Sequence, residues 1–193
     1  MSNTTTSTPV IETPRLVLRM LEPHEANLAV AFYRDNKEHL EKTGPKWTKD
    51  FFDLDRWQLQ LEVNLEEFHT DQSLKLFVFE RQTNTIIGIV NFNNIVRRVA
   101  QYCNIGYSLA EDKQGFGFME EALKYAIKHS FEVMNLHRVM ANYMPHNVRS
   151  GKVLKKLGFT AEGFARNYLY INGAWEDHVL TSLTNDNWRD TLS

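Results

Sequence analysis

The chain has 193 residues, with 22 Lys and Arg against 24 Asp and Glu, seven His, and a net charge of −2. That length fits one domain with a sizeable core, and the balanced charge without a polybasic run argues against nucleic acid or an anionic membrane as partner. The lone cysteine, Cys103, excludes an internal disulfide and a Cys-rich metal site, and the histidines form no HExxH motif or tight carboxylate cluster, so no metal is expected.

Residues 1–8 are a flexible polar start, rich in Ser and Thr, and residues 9–193 form the single expected domain. The start lacks an apolar core and basic residues, which argues against secretory and organellar signals, and no apolar run approaches membrane-spanning length. A soluble, cytoplasmic chain is expected. Arg15 to Met20 alternates as a strand, Pro23 opens a helix through about Asn36, and Gly44-Pro45 breaks the chain. From Phe52 to Thr70, Leu54, Trp57, Leu61, Leu65 and Phe68 recur at helical spacing, which predicts a packed helix with an acidic outer side.

Leu74–Glu80, Ile86–Asn93 and Ala100–Leu109 read as three strands of an antiparallel meander, the first two joined at Gln82-Thr83-Asn84. Gly115 and Gly117 then separate the third of these from a helix over Met119–Met134, whose apolar face carries Ala122, Leu123, Ala126, Ile127, Phe131 and Met134. Glycines there leave backbone N–H groups open to an anion, and the helix start adds unsatisfied donors and a favourable dipole. Taken alone, two glycines between a strand and a helix are ordinary loop chemistry, and neither a GxxxxGK[ST] loop nor a GxGxxG fingerprint is present.

Arg138–Tyr143 reads as another strand, Asn147 caps a helix that ends at Gly158, and Phe164–Ile171, Asn172-Gly173 and Trp175–Leu183 form a terminal hairpin. The element order, with a phosphate turn between the fourth strand and its helix, resembles the GNAT-type N-acetyltransferases. Gln114-Gly115-Phe116-Gly117-Phe118 matches their Q/RxxGxG/A motif, with Met119 at a position where glycine or alanine is usual, a change that narrows the turn's room. Thr13-Pro14-Arg15-Leu16, Ile105-Gly106-Tyr107, Asn147-Val148-Arg149-Ser150, Leu157-Gly158-Phe159 and Asp177-His178-Val179-Leu180-Thr181 are similar to the RimJ/RimL branch of that family.

The resemblance implies an α/β (α+β) fold: a mixed, mostly antiparallel sheet of about seven strands, splayed between strands four and five and flanked by about four helices. It also implies acetyl-CoA as cofactor. By the same carry-over, Gln114, Gly115, Phe116, Gly117, Phe118 and Met119 bind the diphosphate, and the backbone of Tyr107 and Leu109 pairs with the pantetheine arm. The Leu109 N–H then steadies the oxyanion, and Asn147 and Ser150 lie beside the sulfur, where the Ser150 hydroxyl donates to the departing thiolate. Read without the family, Asn147 is a helix cap and Ser150 a first-turn residue.

The implied acceptor is a protein N-terminal α-amine, specifically the alanine of a small-subunit ribosomal protein, with possible association with the ribosome. Such an amine, with a pKa of about 7.7 to 8.0, loses under about 1 kcal/mol on becoming neutral near pH 7, whereas lysine loses roughly 4 kcal/mol. A weak base therefore suffices. Relatives carry a glutamate where Leu169 stands, and Tyr102, Asn104 and Tyr168 are candidates to position a water that takes the proton. Direct attack on the thioester, without an acetyl-enzyme on Cys103, is expected. Tyr143, Tyr168 and Trp175 are candidates for the acceptor pocket. Two alternatives share the fold: acetylation of a small amine such as a polyamine or aminosugar, and a non-catalytic ribosome-assembly protein that binds acetyl-CoA.

Overall fold

The computed structural model describes residues 7–42, 44 and 46–190, so most of the polar start and Pro45 of the expected chain break lie outside the described residues. Strands β1 (Val10–Glu12) and β2 (Leu16–Arg19) lead into helices α1 (Ala26–Asp35), α2 (Lys37–Leu40) and α3 (Leu54–His69). A meander follows: β3 (Leu74–Glu80), β4 (Thr85–Val96) and β5 (Tyr102–Leu109). After α4 (Phe118–Glu132), β6 (Arg138–Tyr143) and α5 (Val148–Lys156), the chain ends in the hairpin of β7 (Thr160–Ile171) and β8 (Ala174–Thr184). One eight-stranded sheet results, in the order β1-β2-β3-β4-β5-β6-β8-β7, antiparallel except between β5 and β6.

The sheet divides two apolar layers because its strands alternate with period two. Leu74, Leu76 and Val78 of β3 share one face with Val90, Phe92, Cys103 and Ile105, and α4 covers it with Ala122, Leu123, Ala126 and Ile127. Phe77 and Phe79 point the other way, into a layer built by Ala29, Val30, Trp57 and Leu61 of α1 and α3. Leu54 of the predicted stripe is exposed and begins α3, while Phe51 and Phe52 lie before the helix and pack on each other and on Trp47.

The splay expected between the fourth and fifth strands lies between β5 and β6. Their pairing covers only Tyr102–Asn104 against Arg138–Met140. Beyond it β5 stays with β4 as far as Leu109, while β6 stays with β8 as far as Tyr143. β1 adds an edge strand absent from the sequence reading, and the terminal hairpin turns at Asn172 and Gly173, with φ of 44° and 89°, the left-handed pair that the Asn-Gly dipeptide predicts.

Candidate active site

Gly117 caps α4 with φ 77°, and Gly115 precedes it with φ 85°. A Cβ placed on Gly115 would have no neighbour within 4 Å, so the glycine is required by backbone conformation and leaves open space beside the turn. The start of α4 is pinned from the far end of the sequence. The Glu121 carboxylate accepts from Thr13 Oγ1 at 2.6 Å, from Arg15 N at 2.9 Å and from Arg15 Nε at 2.6 Å. Arg15 also lies over the Phe118 ring and donates to the Phe116 carbonyl. Burial tends to raise the Glu121 pKa, but the donors from Thr13 and Arg15 outweigh it and hold the carboxyl below its usual value. The Thr13-Pro14-Arg15-Leu16 motif thus acts by fixing the turn.

A groove of about 710 Å³ runs from this turn between β5 and α5. Its walls include Tyr107, Leu109, Gln114, Gly115, Gly117 and Phe118, and Met119, Asn147 and Ser150 also reach it, so most of the predicted cofactor residues meet in one place. Phe116 is the exception: its side chain is 64% exposed and forms no part of the groove wall. Met119 is buried in the core beneath α4, and no side chain crowds the space beside Gly115.

Backbone geometry decides which groups the groove receives. Ala110 N donates to Ile87 O, and the register pairs Gly88 with Leu109, so Ser108 and Ala110 point their main-chain groups at β4. Alternation then turns the N–H and C=O of Tyr107 and Leu109 to the opposite edge, where β6 has departed. These are unpaired strand groups facing a cavity, suited to the amides of an extended ligand.

The Tyr107 hydroxyl lies 2.6 Å from Ser150 Oγ. Burial pushes the phenol up to about 12, against a smaller opposing effect of the Ser150 hydrogen bond. Sequence reading gave Tyr107 only a backbone role; the phenol becomes visible once β5 and α5 are docked. Asn147 caps α5, its Oδ1 accepting from Ser150 N at 3.2 Å. Gln114 bridges the groove, with Nε2 2.7 Å from His39 Nε2 and Oε1 accepting from Arg149. His39 and His146 also line the groove, and neither was expected as a site residue.

Leu40 and Ser108 line a second cavity as well, of about 350 Å³, on the α3 side of the sheet. Its walls carry Tyr33, Trp47, Phe51 and Trp57, with Lys75 and Asn91 from the sheet. None of Tyr143, Tyr168 or Trp175 lines either cavity. Tyr143 packs beside Gly151 of α5, where an added Cβ would meet its ring at 2.9 Å. Tyr168 lies against His178, its hydroxyl 3.4 Å from Asn142 Nδ2, and Trp175 lies against Tyr170 on the exposed hairpin. Leu169 is exposed on β7, opposite Glu176, and Tyr102 and Asn104 lie outside the groove wall. Cys103 is buried, its thiol pushed up to about 12 by desolvation. Among the described residues no cluster of His, Cys, Asp and Glu can hold a metal ion, and no helix is long and apolar enough to cross a membrane.

An open glycine turn, a free strand edge and a hydroxyl pair meet in one groove, and residues 15–160 match the acetyltransferase (GNAT) domain family. The chain belongs to that family and is an acetyl-CoA-dependent N-acetyltransferase. It is 41% identical over 179 residues, 92% of each sequence, to the [ribosomal protein uS5]-alanine N-acetyltransferase of Escherichia coli K12. In structure it is similar to the ribosomal-protein-S5-alanine acetyltransferase of Vibrio fischeri, with a TM-score of 0.90 and 37% identity over 94% of this chain and 100% of that one. Mycobacterium smegmatis RimJ, solved in complex with CoA-disulfide, shares the fold at a TM-score of 0.84 and 24% identity, covering 95% and 89% of the two chains.

Proposed function

We propose that the protein moves the acetyl group of acetyl-CoA to the N-terminal α-amine of a ribosomal protein whose first residue is alanine. The observation that carries this reading is the free edge of β5 at Tyr107 and Leu109, aligned with the open turn at Gly115 in a single groove. The similarity to uS5-alanine N-acetyltransferases along nearly the whole chain supports the acceptor. We place the reaction in the cytoplasm, where ribosomal proteins are made, and association with the ribosome would bring the acceptor terminus to the groove.

Acetyl-CoA supplies an activated thioester, and the chain's own groups do the rest. Gly115 and Gly117 leave the turn's amides accessible to the diphosphate, and the start of α4 contributes its positive dipole end. The N–H of Leu109 faces the groove and offers a fixed donor to the oxygen on which negative charge develops. A phenol raised to about 12 keeps its proton at neutral pH, so the hydrogen-bonded Tyr107–Ser150 pair holds two protons: one is shared between the hydroxyls and the other is donated to the departing thiolate. The proton released by the attacking amine goes to water, which an α-amine tolerates because its pKa lies about one unit above neutral. Cys103 is buried away from the groove wall and takes no part.

The test is mass spectrometry of an acceptor panel incubated with acetyl-CoA: a peptide with the N-terminus of uS5, the same peptide with its α-amine blocked, free lysine and spermidine. Acetyl appears on the α-amine of the open peptide and on no other member at comparable rate. Preferential acetylation of spermidine would contradict the proposal, and tight ribosome binding without turnover would favour an assembly role.

A further inference from the structure

His178 of β8 is only 4% exposed, and its ring bonds through one nitrogen: Nδ1 lies 3.0 Å from the Glu176 carbonyl oxygen. A carbonyl can only accept, so Nδ1 carries the hydrogen and the neutral ring keeps its basic lone pair on Nε2. Nε2 bonds to no described residue, whereas every fully buried side-chain nitrogen and oxygen among the described residues has a partner. Nε2 therefore opens on water from an otherwise enclosed ring. Tyr168 of β7 lies against that ring at 5.5 Å, and its hydroxyl is 3.4 Å from Asn142 Nδ2 of β6. Of the ionisable groups next to it along the hairpin, Glu176 shares its face by alternation. Asp177 is turned away and accepts from Asn167 N at 2.8 Å, and Arg166 follows Ala165, the residue paired with His178.

Val139 and Ala141 of β6 face α4 and α5, as does Leu183 of β8. Alternation turns Asn142, Leu180 and His178 to the opposite side of the sheet, where Ser108 of β5 also points. The level fits as well. Counting on from the Asn104–Met140 pair sets Ser108 level with Met144, and counting on from the Tyr143–Val179 pair sets Met144 level with His178. The hydroxyls of Tyr107 and Ser150 meet the leaving sulfur on the α5 side, which leaves the other side of the splay for the attacking nitrogen. We propose that His178 is the base that receives the proton shed by that nitrogen, through one water held between Nε2 and the Tyr168 hydroxyl. The nitrogen lone pair forms the C–N bond, the C–S bond breaks with its electrons on sulfur, and the N–H proton passes to the water as the water gives one of its own to Nε2. Sulfur leaves as a thiolate hydrogen-bonded to the hydroxyl pair, and His178 returns its proton to solvent. Leu169, which stands where relatives carry a glutamate, is paired with Glu176, two residues before His178, so the basic group has moved one strand across the hairpin. This inference rests on the α-amine acetyltransferase reading.

Single-turnover rates of the full chain, His178→Gln, Tyr168→Phe and Glu176→Gln test it, with the uS5 N-terminal peptide and saturating acetyl-CoA. At about pH 7 His178→Gln is slowed roughly ten- to a hundredfold, while its calorimetric affinity for acetyl-CoA is unchanged. The deficit shrinks as pH rises and hydroxide takes over the proton. Tyr168→Phe keeps the ring and loses the anchor of the water, so it shows a smaller deficit with the same pH dependence, and Glu176→Gln matches the unmodified protein. Added imidazole restores part of the rate to His178→Ala. A normal rate in folded His178→Gln, a deficit constant with pH and accompanied by a lowered Tm, or a pH-dependent deficit in Glu176→Gln alone would overturn the proposal. Nitrogen-15 NMR of the imidazole, assigned by its absence in His178→Gln, reads the geometry without any acceptor: the hydrogen is on Nδ1. Hydrogen on Nε2 overturns the proposal whatever the acceptor. No acetylation of any peptide by a protein with the Nδ1 tautomer in place refutes the functional reading instead, and with it the role but not the geometry of His178.

Discussion

Replacing Gly115 with alanine separates the turn's contribution to folding from its contribution to binding. Gly115 has φ 85° and Gly173, in the terminal hairpin, has φ 89°; a Cβ at either position meets nothing within 4 Å. The two substitutions therefore carry the same folding cost, the left-handed backbone penalty for an L side chain of about 1 to 2 kcal/mol. For a chain of this size that lowers Tm by about 2 to 8 °C in each case. Only Gly115 borders the groove, where its new methyl group occupies the space beside the turn's amides. Losing one charge-assisted hydrogen bond to a diphosphate costs about 1.5 to 3 kcal/mol, roughly a ten- to 150-fold weaker Kd for acetyl-CoA. Thermal melts by circular dichroism and calorimetric titration with acetyl-CoA measure both quantities. Equal Tm losses with unequal affinities are expected. If Gly115→Ala binds acetyl-CoA as tightly as Gly173→Ala, the turn does not cradle phosphate and the cofactor assignment to residues 114–119 is wrong.

Tyr107→Phe and Ser150→Ala each lower kcat by about tenfold, in line with the loss of one donor to developing charge, while the KM for acetyl-CoA changes little; a fall confined to KM would show the pair to be a binding contact only. Glu121→Gln destabilises the protein by about 1 to 3 kcal/mol at neutral pH because it weakens charge-assisted bonds to Thr13 and Arg15. The folded-state pKa of Glu121 is depressed, so its contribution is complete above the unfolded carboxylate value and disappears as pH falls through the folded one. Urea melts of the two proteins should differ at about pH 7 and converge as pH falls through the depressed folded-state value. Cys103→Ala keeps turnover and acetyl-CoA affinity and loses about 1 kcal/mol of stability to a small cavity; abolished turnover in a folded variant would contradict direct transfer.

What the sequence made legible follows from local rules. The Asn147 cap, the left-handed Gly158 after α5 and the Asn172-Gly173 turn are each written in one or two residues. The phosphate turn needed its family resemblance, because two glycines between a strand and a helix carry little information alone. Pairings across long separations stayed hidden. Glu121 with Thr13 and Arg15, Tyr107 with Ser150, and Gln114 with His39 and Arg149 all join residues that no period or motif connects. The aromatic cavity was hidden for the same reason: Trp57 reads as a core position of α3, its ring partners Tyr33 and Phe51 come from other segments, and so does Trp47, which packs on both of those rings. β1 escaped because three residues are too few to show alternation.

A crystal structure of the full chain soaked with acetyl-CoA tests the central claim most directly. The account predicts the diphosphate on the amides of residues 115–119, the pantetheine amides paired with the main chain of Tyr107 and Leu109, and the sulfur beside Ser150. Density for the coenzyme outside the cleft between β5 and β6, or a pantetheine arm that leaves the β5 edge unpaired, would contradict it.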